Sequence, residues 1–163
     1  MLKIDPTARI SPMADIEESV RGTLIEIGPR VMIDSFVKIK PAGGSGDVVI
    51  GPDTAINSGT VIYTGNGVTI GQGVAIAANC TLAPTNHAIA DRDRFIKDQG
   101  FQASKGGIVI EDDCWLGSGV VVLDGAVIRR GAVIAAGSVV RGEVPAYAIF
   151  AGAPARRIGE RGG

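Results

Sequence analysis

A chain of 163 residues suits one domain with its own core, and a formal net charge of -1 gives no electrostatic pull toward nucleic acid or an anionic membrane surface. Hydrophobic residues make up 45% but aromatics only 4%, so the apolar content lies in short bursts of Ile, Val and Ala, none near the ~18 residues of a membrane span. The opening MLKIDPTARI lacks a charged head followed by an apolar stretch, and Cys80 and Cys114 are too few for a disulfide framework, so a soluble cytoplasmic protein is expected. Abundant glycine, 24 residues, beside frequent Val and Ile favours tight turns between short strands.

In chain order, an aliphatic residue recurs every six positions. The beat runs through Ile4, Ile10 and Ile16, then Ile27, Ile33 and Ile39, then Ile50, Ile56 and Ile62, then Ile70, Ile76 and Leu82. After a gap it continues without a break through Ile110, Leu116, Val122, Ile128, Ile134 and Val140. The fifth residue of each hexad is Ala, Val, Ser, Thr or Cys, with Gly43, Asn66 and Asn86 as the exceptions. Interruptions fall after residues 21, 44, 67 and 87, always at a multiple of three hexads. A coil of three hexads explains that phase, because insertions can leave a triangular stack at one corner without disturbing the other two.

A hexad alone is one small strand and a turn, and it buries nothing. Stacked, the aliphatic residues form ladders such as Ile4, Ile27, Ile50, Ile70, Ile110, Ile128, with coils spaced roughly 4.8 Å apart. The small fifth residue belongs where the corner narrows, since a larger one would overpack it. The expected architecture is all-β: a parallel β-helix of about six triangular coils. Periodicity does not settle the hand, and the general rule for parallel crossovers favours a right-handed turn.

The longest interruption, residues 88–109, follows directly on His87, the only histidine in the chain. It is flanked by Pro84-Thr-Asn-His87 on one side and Trp115-Leu-Gly-Ser118 on the other, and the chain closes with Val144-Pro-Ala-Tyr-Ala-Ile-Phe-Ala-Gly-Ala-Pro154-Ala-Arg156-Arg157-Ile158. The hexads and these segments resemble the hexapeptide-repeat acetyltransferases, in particular the branch of galactoside, maltose and xenobiotic acetyltransferases. Phe95-Ile-Lys-Asp-Gln-Gly-Phe101 looks closest to its sugar O-acetyltransferases. The resemblance covers nearly the whole chain and implies a left-handed coil, a homotrimer with active sites between subunits, and acetyl-CoA as acyl donor without a metal. It divides the chain into a β-helix domain over 1–144 and a cofactor-contacting tail over 145–163.

The same resemblance assigns His87 as the general base that deprotonates an acceptor hydroxyl, a task suited to an imidazole titrating near working pH. Asn57, Asp91, Asp93 and Trp115 are the candidates for the acceptor side. Ser118, Ala136, Arg141, Arg156 and Arg157 are the candidates for acetyl-CoA, although the family's Thr-Lys is replaced here by Arg141-Gly142. Backbone N–H groups around Gly117 and Ser118 are expected to meet the oxyanion. Asp91 and Asp93 lie in an Asp-Arg-Asp-Arg run that also reads as a self-paired solvated segment, and each surface arginine has the same plain alternative. Phe95, Ile96 and Phe101 are too apolar for a free loop and are expected to pack over a neighbouring subunit. A sugar is the expected acceptor. N-acetylation of an amino sugar and a noncatalytic scaffold are the alternatives, and a trimeric zinc enzyme needing three histidines per site does not fit.

Overall fold

The computed structural model describes all residues, 1–163. Each hexad forms a strand of two or three residues, and the strands stack into three parallel sheets that wall a prism. The first sheet holds Leu2–Ile4, Ile25–Ile27, Val48–Ile50, Val68–Ile70, Ile108–Ile110, Val127–Ile128 and Glu143–Val144. The second holds Arg9–Ile10, Met32–Ile33, Ala55–Ile56, Ala75–Ile76, Trp115–Leu116, Val133–Ile134 and Ala148–Gly152, with Ala155–Glu160 added antiparallel at its edge. The third holds Asp15–Ile16, Lys38–Lys40, Val61–Tyr63, Thr81–Ala83, Val121–Leu123 and Val139–Val140.

The coil is left-handed. The right-handed preference of parallel crossovers comes from twisted strands feeding helices that pack back on the sheet. Here strands of two or three residues are joined by bare turns, so that constraint is missing.

The predicted ladder is the observed register. Ile4 pairs with Ile27, Ile27 with Ile50, Ile50 with Ile70, Ile70 with Ile110, and Ile110 with Ile128. Val144 and Phe150 extend the first and second ladders into a partial seventh coil, so the closing segment begins as wall of the prism. The fifth-position residues from Val31 to Val144 mostly point inward and are buried, Cys80 and Cys114 among them. Burial pushes both thiols up, that of Cys114 to about 11, which keeps them protonated and unreactive. Val20 breaks the expected pattern and is fully exposed, because the chain turns outward at that corner before re-entering at Ile25.

The fourth position of a hexad turns the corner with positive φ, as at Asn79, Gly119 and Gly137. Gly117 is required for another reason: a Cβ there would stand 2.6 Å from the Ala136 nitrogen of the next coil. No helix is long and apolar enough to cross a membrane.

Candidate active site

All long insertions leave at the corner between the third and first sheets. His87 sits there, at the end of the fourth coil, where the chain departs after Thr81–Ala83 and returns at Ile108. Its backbone forms an antiparallel bridge with Phe101, flanked by Ala88 N–H donating to Gly100 O (3.0 Å) and Gln102 N–H donating to Asn86 O (2.8 Å). The two rings pack at 4.8 Å between centroids, tilted by 40°. The imidazole is exposed on an open hollow of about 400 Å³. Gln102 and Lys105 from the loop form one wall of that hollow, and Leu123, Asp124 and Arg141 from the next two coils form the other. No protein group hydrogen-bonds either nitrogen of the His87 ring.

The chain brings the other predicted residues together only in part. Arg141 shares the hollow with His87. Ser118 and Ala136 lie at a different corner, between the second and third sheets, where the Ser118 hydroxyl donates to Ala78 O at 2.8 Å. Asn57 occupies the same corner lower in the stack and donates its amide to Ile76 O at 2.7 Å. Trp115 stands half exposed on the second sheet between Ala75 and Val133.

Asp91 and Asp93 build the loop tip. The Asp91 carboxylate accepts the Asp93 N–H at 2.9 Å, and Gln99 brackets the Asp91 backbone through both ends of its amide, at 3.1 and 2.7 Å. Asp93 faces a second hollow, with Arg92, Arg94 and Asp98, apart from the one that His87 lines. Arg156 donates to Ala155 O (3.0 Å) and Arg157 pairs with Glu160 (2.9 Å), both on the closing hairpin.

One expectation is corrected. The Gly117 N–H already donates to Ile134 O at 2.8 Å in the inter-coil ladder, so only the Ser118 N–H of that pair lacks a protein acceptor. Phe101 packs its ring against His87 and stays half exposed. Asp124 carries no mark in the sequence, because an Asp at the third place of a hexad looks the same as the exposed Asp112. No three His, Cys, Asp or Glu side chains converge in a metal-binding arrangement.

Residues 107–142 match the family model described as bacterial transferase hexapeptide (six repeats). A hexapeptide-repeat-containing acetyltransferase of Vibrio cholerae O1 biovar eltor, solved with acetyl coenzyme A, is 30% identical, with TM-score 0.73 over 82% of this chain and 69% of that one. The chain belongs to the hexapeptide-repeat transferase family. A probable acetyltransferase of Mycobacterium tuberculosis is 38% identical over 141 residues, 84% of this hexapeptide-repeat chain. The chain spans only 44% of that relative's length. AntD, an N-acyltransferase of Bacillus cereus, shares the fold at TM-score 0.82 with 24% identity, covering 98% of this chain and 83% of its own. That AntD structure is a complex with dTDP-4-amino-4,6-dideoxyglucose and coenzyme A.

Proposed function

We propose that this chain is an acetyl-CoA-dependent O-acetyltransferase of saccharides or related small acceptors, acting in the cytoplasm as a homotrimer with His87 as general base. The observation that carries the reading is the exposed imidazole, its nitrogens free, at the mouth of the long loop and on a hollow that climbs toward the C-terminal coils. The acceptor O–H would give its proton to His87 as the oxygen attacks the thioester carbon. The tetrahedral oxyanion would be met by the Ser118 N–H, and the C–S bond would then break with CoA leaving as thiolate, reprotonated from the imidazolium. Lys105 and Arg141 bring positive charge to the hollow, and Arg156 and Arg157 stand on the closing hairpin, all suited to the phosphates of CoA.

His87 and Ser118 lie at different corners of one chain, so a shared site requires a neighbouring subunit. The outer face of the second sheet supports such packing. Met32, Ala55, Ala75, Trp115, Val133 and Ile149 form an apolar ladder in consecutive coils. Loop residues Ile89, Phe95 and Ile96 stand 62%, 77% and 53% exposed in the single chain, ready to be covered.

N-acetylation of an amino sugar is the second reading, favoured by the amino-sugar nucleotide bound in the AntD structure. It keeps the same base and changes only the attacking atom. The test is CoA release from acetyl-CoA across neutral sugars, amino sugars and nucleotide sugars, for the protein and for His87→Ala. Loss of ~10²–10⁴-fold in rate with acetyl-CoA binding retained is the expected result. Equal rates would remove His87 from the chemistry, and activity confined to amines would select the second reading. Light scattering on the same preparation checks the trimer.

A further inference from the structure

Asp124 is the one charged side chain that the fold buries, at 5% exposure, and the scheme above does not use it. It lies at the corner between the third and first sheets, one coil beyond the point where the long loop leaves. At that lower level the loop replaces the ordinary turn, and the carboxylate takes over the bonding. Oδ1 accepts the Gly107 N–H at 2.9 Å. Oδ2 accepts the Lys105 N–H at 2.9 Å and the side-chain amide of Asn66 at 3.2 Å. Gly125 N–H adds a bond to Gly107 O at 2.7 Å. A Cβ on Gly125 would stand 2.8 Å from Lys105 Cβ, and its φ is +83°, so the close approach needs glycine.

All three partners of the carboxylate are donors. A carboxylate is acceptor-only, whereas an amide would turn its NH₂ against one of them. Burial of the charge is tolerable because it is fully hydrogen-bonded. The segment held this way is the return limb of the loop. That limb also carries Phe101 against the imidazole and Gln102 bonded to Asn86. Asp124 itself lines the hollow with His87.

We propose that Asp124 is a positioning residue that fastens the return limb of the loop, so that Phe101 holds the His87 ring and the limb forms a fixed wall of the acceptor hollow. The kinetic part rests on the acetyltransferase reading; the structural part does not. Since His87 is the only histidine, its Cε1–H gives a single imidazole signal in NMR of the whole protein. With the Phe101 ring centroid 4.8 Å away, that signal should be displaced by its ring current in the wild type. Asp124→Ala should move it toward the position of an unstructured histidine, and Phe101→Leu should move it the same way. It should lower kcat by ~10-fold or more and change KM for acetyl-CoA much less. Asp124→Asn should lie between the two proteins, and it replaces the alanine variant if that one does not fold.

An imidazole signal unmoved in the folded Asp124 variant would overturn the proposal, whatever the rate. So would a moved signal with wild-type kcat, since the limb would then not matter to the chemistry. A moved signal in a protein whose wild type turns over no acceptor would uphold the positioning and count against the acetyltransferase reading.

Discussion

The first-sheet ladder allows one chemical change to be made at two depths of the same stack. Ile70 is 1% exposed, clamped in register between Ile50 and Ile110. Ile4 is 44% exposed, in the end strand of the first sheet, and pairs only with Ile27. Truncating Ile70 to alanine removes the transfer energy of the lost carbons and leaves a hole between two coils that cannot close, because their backbones are bonded to each other. That should cost about 2–5 kcal/mol. At Ile4 roughly half of the side chain already meets water, and the gap opens to solvent, so only part of the transfer energy is lost, about 1 kcal/mol. Urea unfolding of the two variants and the parent, at one fixed protein concentration because assembly adds to stability, gives both values from the midpoints if the slopes agree. Equal losses at the two positions would refute the reasoning, since they would mean that the open end is covered as well as the middle.

Two further tests use the acid–base chemistry of the wall. Burial raises both Cys80 and Cys114, so neither should react with an alkylating reagent at pH 7–8 until the chain is unfolded; rapid labelling of the native protein would contradict the buried placement. Arg129, hydrogen-bonded at 2.9 Å, holds the Glu111 carboxyl below its ordinary 4.5, helped by the N–H of Arg130. A lowered folded value stabilises the protein fully above that ordinary pH and is lost as pH falls through the folded value. Thermal melting should therefore drop more steeply below about pH 4.5 in the parent than in Glu111→Gln, and parallel curves would remove the pair from the acid response.

What the sequence disclosed and what it hid follow from the same geometry. Inward residues repeat every six positions because each coil must refill the same cross-section, so the ladders, the corner of insertion and the small fifth residues were legible from spacing alone. Val20 departs from the fifth-position rule because spacing cannot show where a chain lifts off the stack. The hand was not legible from spacing, since both hands bury the same residues; it came from the family resemblance. At the site, His87 was marked by its place at the mouth of the loop. Asp124 carried no such mark, because its partners are two backbone N–H groups and Asn66, 58 positions away. Nor could spacing show that the Gly117 N–H is spent on the inter-coil ladder.

The separation of the candidate residues within one chain leads to the sharpest test of the assembly. His87 and Arg141 occupy the corner between the third and first sheets, while Ser118 and Ala136 occupy the corner between the second and third. If each site takes its base from one subunit and its thioester contacts from the next, the interface is head-to-tail and closes into a ring. His87→Ala then disables one side of every site. Ala136→Trp, at an exposed corner where the added bulk meets solvent and not the core, blocks the other. Each variant alone should be inactive. Unfolded together and reassembled in equal amounts, every mixed trimer has one interface with both wild-type halves, so ~25% of all sites should recover, given random assembly of a cyclic trimer. Sites built within single chains would show no recovery at any mixing ratio. Recovery near a quarter would place the reacting groups on two subunits, and would explain why the second sheet keeps an apolar outer ladder that the single chain leaves exposed.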